Sequence, residues 1–150
     1  MDADLDLGVI GNCAWGGLVD RHGRLVWACL PRFDSDPLFP ALVAGGSDHD
    51  GAFAVELLGL ESSEQRYEGS TPILLTTLRD GAGSALEVRD FAPRFVNFGR
   101  IHRPTMLIRR IRPLEGEPRI RIVVGPAAAT ASTDPWSPAA AIICVSSRRR

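Results

Sequence analysis

The chain has 150 residues, enough to bury one real core and short for two domains. With 45% apolar and 23% charged residues it has the composition of a globular protein and not of a disordered one. A formal net charge of -1 excludes bulk attraction to nucleic acid or an anionic membrane. All 17 basic residues are Arg, which speaks of a GC-rich coding sequence more than of a function.

The start, MDADLDLGVIGN, is an acidic leader without the basic and apolar regions of a signal peptide. No apolar run approaches the length of a membrane span, so the expectation is a soluble, cytoplasmic protein without a membrane partner. Gly8 to Gly11 reads as a short edge strand. Two apolar runs follow, Gly17 to Val19 and Leu25 to Leu30, around the polar segment Asp20-Arg21-His22-Gly23-Arg24. Branched and aromatic residues about an Asp- and Gly-containing turn predict a β-hairpin. The second run is apolar throughout, as in a strand covered on both faces. It ends at Pro31, which cannot donate to a sheet, and delivers the loop Arg32-Phe33-Asp34-Ser35 to one edge of the domain.

Beyond this hairpin, Pro40 to Ala44 has room for one helical turn, and Gly45 to Gly51 is a loop. Phe53, Val55 and Leu57 alternate with Ala52, Ala54 and Glu56, which predicts a half-buried strand. Glu64 to Tyr67, Ile73 to Arg79 and Ala85 to Phe91 read as strands, the last two joined through Asp80-Gly81-Ala82-Gly83. Leu86, Val88 and Asp90 fall on one face of the third, Glu87 and Arg89 on the other. Asn97 to Thr105 reads as a loop, and Met106 to Arg112 and Arg119 to Val124 as two more strands. Short strands at turn-punctuated intervals, with no helix of ordinary length before residue 125, predict an all-β antiparallel sandwich.

The stretch "IGN…GGLVDRHGRLVWACLPRFDS" resembles the opening of the N-terminal domain of glycoside hydrolase family 15, the bacterial glucoamylase and trehalase group. An Ile-Gly segment, a Val-Asp-Arg-x-Gly turn, a Trp-containing strand and a Leu-Pro-Arg-Phe-Asp-Ser loop follow there in the same order. "RYEGSTPILLTTLRDGAGSALEVRDFAPRF" is similar to the family's next segment, and "RPTMLIRRIRPLEGEPRIRI" to the Arg-rich strand pair after it. The resemblance runs from about Leu7 to Val123. It implies a large antiparallel super-sandwich that packs against an (α/α)6 barrel carrying the active site, and inverting hydrolysis of an α-glucoside such as trehalose or a malto-oligosaccharide. No cofactor is implied. The family takes both catalytic glutamates from the barrel, and no segment of this chain matches those motifs.

After Val124 the sequence turns to Ala, Pro and Ser without periodicity, which divides the chain into a sandwich domain, 1–124, and a disordered or out-of-frame tail, 125–150. Read back into codons and shifted by two bases, Thr133 to Cys144 admits Arg-Pro-Val-Val-Thr-Arg-Gly-Ser-Asn-His-Met. The family shows something like Arg-Pro-x-Val-Thr-x-Gly-Ser-Asn-His at this point. The expectation is therefore a sandwich incomplete at its C-terminal end, cut off before its barrel and exposing an apolar edge.

Inverting hydrolysis needs two carboxyl groups, one to protonate the leaving oxygen and one to activate water. Asp34, Asp36, Asp48, Asp50 and Asp90 are the available aspartates, and the reading assigns none of them a catalytic role. The substrate-binding candidates are Arg32, Phe33 and Asp34: Phe33 to stack on a sugar, Arg32 or Asp34 to bond hydroxyls. The competing reading of that loop is a domain interface whose Arg–Asp pair only holds the turn. Asp48-His49-Asp50 is read as a solvated loop and not a metal site. His22 is placed in an exposed turn, and His102 without a visible partner. The arginines at 109, 110, 112, 119 and 121 read as the solvent or interdomain face of two strands, not a nucleic-acid site. Trp15 and Trp27 suit core packing more than a sugar platform. Cys13 and Cys29 could meet across the hairpin, but nothing in the sequence fixes that geometry, and reduced, packed thiols are the expectation. The alternative functions are a stand-alone carbohydrate-binding module and a protein-interaction sandwich.

Overall fold

The computed structural model describes residues 5–44 and 51–127. They form two facing antiparallel sheets and a separate hairpin, with neither sheet closed into a barrel. The first sheet runs β1 (Leu7–Gly11), β2 (Gly16–Asp20), β3 (Leu25–Cys29), β5 (Phe53–Leu57), β12 (Ile120–Val124), with β4 (Pro37–Phe39) also on β3. The second runs β11 (Ile108–Glu115), β8 (Ala85–Phe91), β7 (Leu74–Asp80), β6 (Leu60–Tyr67). β9 (Phe95–Asn97) pairs only with β10 (Arg100–His102), and α1 (Ala41–Ala44) is a single turn. The expected sandwich is thus present, with its hairpins where turn chemistry placed them.

Asp20 builds the turn between β2 and β3. Its Oδ1 accepts from the backbone N–H of His22 and Arg24, both at 2.9 Å, and its Oδ2 from Arg24 Nε at 2.6 Å. Gly23 sits at φ +77, the left-handed region that a side chain resists. Asp80 repeats the device between β7 and β8, accepting from Ala82 N at 3.0 Å and Ser84 N at 2.7 Å. The backbone bond from Ser84 leads the effects that hold its carboxyl below the usual carboxylate value, against an opposing desolvation.

The two sheets meet over two apolar clusters. Ile10, Trp15, Val19, Leu25, Phe39, Phe53, Leu74 and Leu107 belong to one; Val55, Leu57, Leu78, Leu86, Val88 and Ile111 form the other. Trp15 is therefore core, as expected. So is Asp90, on the inward face of β8 with Leu86 and Val88. Its partner corrects the reading of the arginine cluster: Arg109 is 0% exposed and points inward beside Ile111, while Arg110, Arg112, Arg119 and Arg121 face solvent. Arg109 Nε and Nη2 grip Asp90 Oδ1 and Oδ2 at 2.7 and 2.9 Å. Nη1 donates to the carbonyl of Phe53 at 2.6 Å, and Nη2 also to the carbonyl of Gly23. The guanidinium carbon lies 4.5 Å from the Phe53 ring centroid. A residue of the second sheet thus holds two carbonyls of the first.

The sandwich is pinned along one side and open along the other. On the β1/β6 side, Tyr67 Oη accepts from Val9 N at 2.8 Å and donates to Val9 O at 3.0 Å, and Gln65 Nε2 donates to Asp20 O at 2.9 Å. On the β11/β12 side, Ile120, Ile122 and Val124 stand in register with the inward-facing Leu57, Val55 and Phe53. Yet they remain 38%, 42% and 48% exposed. β11 pairs with β8 alone.

Other expectations shift in detail. The Ala positions of β5 are buried as well, so that strand is covered on both faces. The loop expected over Asn97 to Thr105 contains the β9–β10 hairpin. Past Val124, Gly125 N still donates to Ala52 O and Ala127 N to Leu38 O, both at 2.9 Å. Residues 128–150, with the shifted-frame stretch and Cys144, and Asp48-His49-Asp50 lie outside the described residues.

Two predictions follow from the buried pair and the acidic turn. Arg109→Met should destabilise the chain by about 3–5 kcal/mol in urea unfolding, because it strands a buried carboxylate; adding Asp90→Leu should restore part of that loss. Asp80, whose folded pKa is lowered, stabilises above the usual carboxylate value of about 3.9 and loses that contribution as pH falls through the folded value. The gap in urea midpoint between the wild type and Asp80→Asn should therefore be open at pH 5 and narrow toward pH 3.

Candidate functional site

The strand β3 ends at Cys29 and passes through the cis Leu30–Pro31 peptide into the candidate loop. Arg32 N donates to Ser35 Oγ at 3.3 Å and Ser35 N to Arg32 O at 3.2 Å, closing a tight turn. Arg32 Nη2 bonds Asp34 Oδ2 at 2.8 Å, with the two side chains 73% and 68% exposed. Phe33 is 62% exposed and lies over Gly16, where an added Cβ would stand 2.8 Å from its Cε1. The structure therefore brings Arg32 and Asp34 together as a solvent-exposed pair, with the Phe33 ring beside them on the surface.

Two further segments gather at this end of β2. The turn between β1 and β2 carries Asn12, 2% exposed, whose Nδ2 donates to Pro93 O at 3.1 Å and Pro104 O at 2.8 Å. Those prolines are the two stems of the excursion that carries β9 and β10. One buried amide thus clamps both legs of a projecting hairpin, and its Oδ1 braces the same turn through Ala14 N at 3.0 Å. Next to it, Cys13 adopts φ +69 and meets Arg94 Nη1 at 3.4 Å. In the hairpin, the Phe95 and His102 rings meet at a tilt of 52° with centroids 5.4 Å apart, so His102 does have a neighbour. Sequence reasoning missed this hairpin and its clamp. Its signal was Asn97-Phe98-Gly99-Arg100, a two-residue turn between strands of only three residues.

At the other end of β2, a cavity of about 300 Å³ opens where β5 runs on past its single Leu25–Phe53 pairing with β3. His22, Arg24 and Glu56 rim it, and Val55, Leu57, Leu60 and Leu78 line it. His22 is half-buried here, where an exposed turn was expected.

The carboxylates that are buried among the described residues are Asp20, Glu87 and Asp90. Each is held by guanidinium: Asp20 by Arg24 at 2.6 Å, Glu87 by Arg112 at 3.2 Å and Arg89 at 3.7 Å, Asp90 by Arg109 at 2.7 Å. Glu87 and Asp90 point to opposite faces of β8, so they do not flank a common bond as an acid–base pair must. Among the described residues no three His, Cys, Asp or Glu side chains stand together as metal ligands. No helix among them is long and apolar enough to cross a membrane.

Cys13 is exposed and Cys29 buried, both free. Burial first, and the nearby Asp36 carboxylate second, push the Cys29 thiol up; a hydrogen bond with Trp27 works the other way.

Compared with known proteins, the chain matches the trehalase-like N-terminal family over residues 6–133. It is 28% identical over 102 residues to a trehalase of Thermoplasma volcanium, a stretch covering 64% of this chain and 16% of that protein. The chain thus spans only a small part of the length of that curated relative. No solved structure matches it.

The thiol environments give a direct check. With iodoacetamide at pH 8, peptide mass spectrometry of the folded chain should show Cys13 alkylated and Cys29 protected, with Cys29 reacting only in denaturant.

Proposed function

The chain belongs to the trehalase-like N-terminal family, and on that premise we propose that it is the non-catalytic sandwich domain of a cytoplasmic enzyme that hydrolyses α-glucosides, trehalose or malto-oligosaccharides. In this reading the acid and base that invert the anomeric centre come from a separate helical barrel. The reading frame that would continue into that barrel is interrupted in the region after Val124.

The observation that carries the proposal is the engagement of Asp20, Glu87 and Asp90 with arginines, which leaves no buried carboxyl among the described residues to give or take a proton. A general acid or base needs its carboxyl oxygens within reach of the proton it transfers, and these oxygens are turned to guanidinium groups. The uncovered inward face of β12 supports the same reading, because a sandwich built to stand alone would cover it. The similarity to a small part of a trehalase is consistent with a domain of a larger enzyme. Arg32, Phe33 and Asp34 are the residues of this chain placed to reach a sugar pocket in that barrel, Phe33 by stacking and Arg32 or Asp34 by bonding hydroxyls.

Incubated with trehalose or maltose, the chain should release no glucose above the buffer control; turnover would overturn the proposal. Titration calorimetry with both sugars should show no saturable heat, and a saturable signal lost in Phe33→Ala would favour the stand-alone sugar-binding module instead. Sequencing from about codon 115 through several hundred bases past the stop should find a shifted frame that encodes a helical domain with two candidate glutamates.

A further inference from the structure

The first sheet has a gap in its interior. β5 lies between β3 and β12, yet β3 reaches it at a single position, Leu25 opposite Phe53. Past that point the β2–β3 turn stands where a neighbouring strand would be. On its other side β5 is paired along its whole length with β12. Leu58 N donates to Arg119 O and Gly125 N to Ala52 O, both at 2.9 Å. Backbone bonds of an antiparallel pair fall on alternate residues, so Ala54 and Glu56 also turn their N–H and C=O groups to β12. Those of Phe53, Val55 and Leu57 turn the other way. Phe53 meets Leu25 and Arg109 there, whereas Val55 and Leu57 face no strand among the described residues.

This is an unusual place for unpaired backbone. Val55 and Leu57 are 1% and 4% exposed, and the backbone groups of buried residues are nearly always satisfied by something. The space before them is the cavity of about 300 Å³, room for about ten waters. Its lining fixes its course. Val55 and Leu57 point inward from β5 and Glu56 outward, so a cavity that touches all three runs along the edge of the strand. His22 and Arg24 bound it on the turn side, and Leu60 and Leu78 of the second sheet form its floor.

Two donors and two acceptors repeating at every second residue are the complement of another extended backbone. An aliphatic ligand would leave those groups unpaired, and a small hydroxylated one lacks the repeat. Below the edge, Val55, Leu57, Leu60 and Leu78 carry no charge and suit one apolar side chain. We propose that this notch binds an extended apolar peptide segment of another protein, which adds to β5 as a short strand and seats one side chain on Leu78. Main-chain bonds to Val55 and Leu57 supply the affinity, and the apolar floor supplies the selectivity.

The test follows backbone amides by NMR in the isotope-labelled 150-residue chain. The probes are three blocked pentapeptides, acetyl-Thr-Val-X-Val-Thr-amide, with Val, Leu or Phe at X. In the free chain the Val55 and Leu57 amides should exchange with deuterium about tenfold faster than those of Ala54 and Glu56, which β12 protects. Added to about 5 mM, at least one peptide should shift both amides saturably and slow their exchange. The same peptide with N-methylated backbone should not, because it has lost its donors. Leu60→Trp, at a rim position 38% exposed, fills the mouth and should abolish the shifts while the melting temperature holds. Slow exchange of Val55 and Leu57 in the free chain overturns the open edge. Failure of all three peptides to saturate overturns the peptide occupant and leaves water to fill the notch. Equal binding of the N-methylated peptide overturns strand addition in favour of a plain apolar pocket, and this comparison decides even where Leu60→Trp fails to fold.

Discussion

Across the core, one buried guanidinium ties the two sheets together. Arg109 is fully enclosed, and in low dielectric an unpaired charge there would not be tolerated. Each of its three nitrogens has an acceptor: Nε and Nη2 on the Asp90 carboxylate, Nη1 on Phe53 O, and Nη2 again on Gly23 O. That geometry fixes more than one bond. β11 must lie against β8 with Arg109 opposite Asp90, and the β2–β3 turn must present its Gly23 carbonyl to the second sheet. Apolar contacts are non-directional and permit sliding, whereas a bidentate pair with two further carbonyls does not. The pair is thus a register device more than a source of net stability.

The same logic orders the rest of the domain. Tyr67 and Gln65 join the sheets along the β1/β6 side by directional bonds, and Asn12 ties the 93–104 excursion to the β1–β2 turn. Nothing comparable spans the β11/β12 side among the described residues. There the inward alternation of β12 continues, Ile120, Ile122 and Val124 at every second position, but the second sheet stops at β11. That row obeys core alternation and yet remains partly exposed, at 38%, 42% and 48%.

Much of this was legible in the residues, and the misses share a physical cause. The β2–β3 and β7–β8 hairpins were readable because Asp20 and Asp80 each precede a Gly by a few residues between apolar runs, and that side-chain chemistry is local. Asp90 was placed inward from its parity with Leu86 and Val88. Arg109 has the same parity with Ile111, but composition assigned a run of arginines to solvent. The clue was a second, opposite charge at an inward position of a neighbouring strand. The β9–β10 hairpin escaped because three-residue strands carry too little alternation, and because Phe-Gly is an unusual turn. For the candidate loop, sequence could name the chemistry of Arg32, Phe33 and Asp34. It could not tell a cleft from an exposed turn, since that depends on what stands opposite.

What the domain keeps inside and what it leaves outside differ in kind. Among the described residues, its buried carboxylates are each paired with an arginine. Among the exposed groups, the β12 row and the β9–β10 hairpin stand out as apolar. These two surfaces ask for different covers. A regular apolar row on a pleated face is satisfied by another layer of strands, which buries it without charge. A hairpin tip bearing Phe98, with arginines around it and no carboxylate nearby in sequence, combines apolar exposure with positive charge. A free sugar, neutral and small, would leave most of that tip in water and its arginines unanswered.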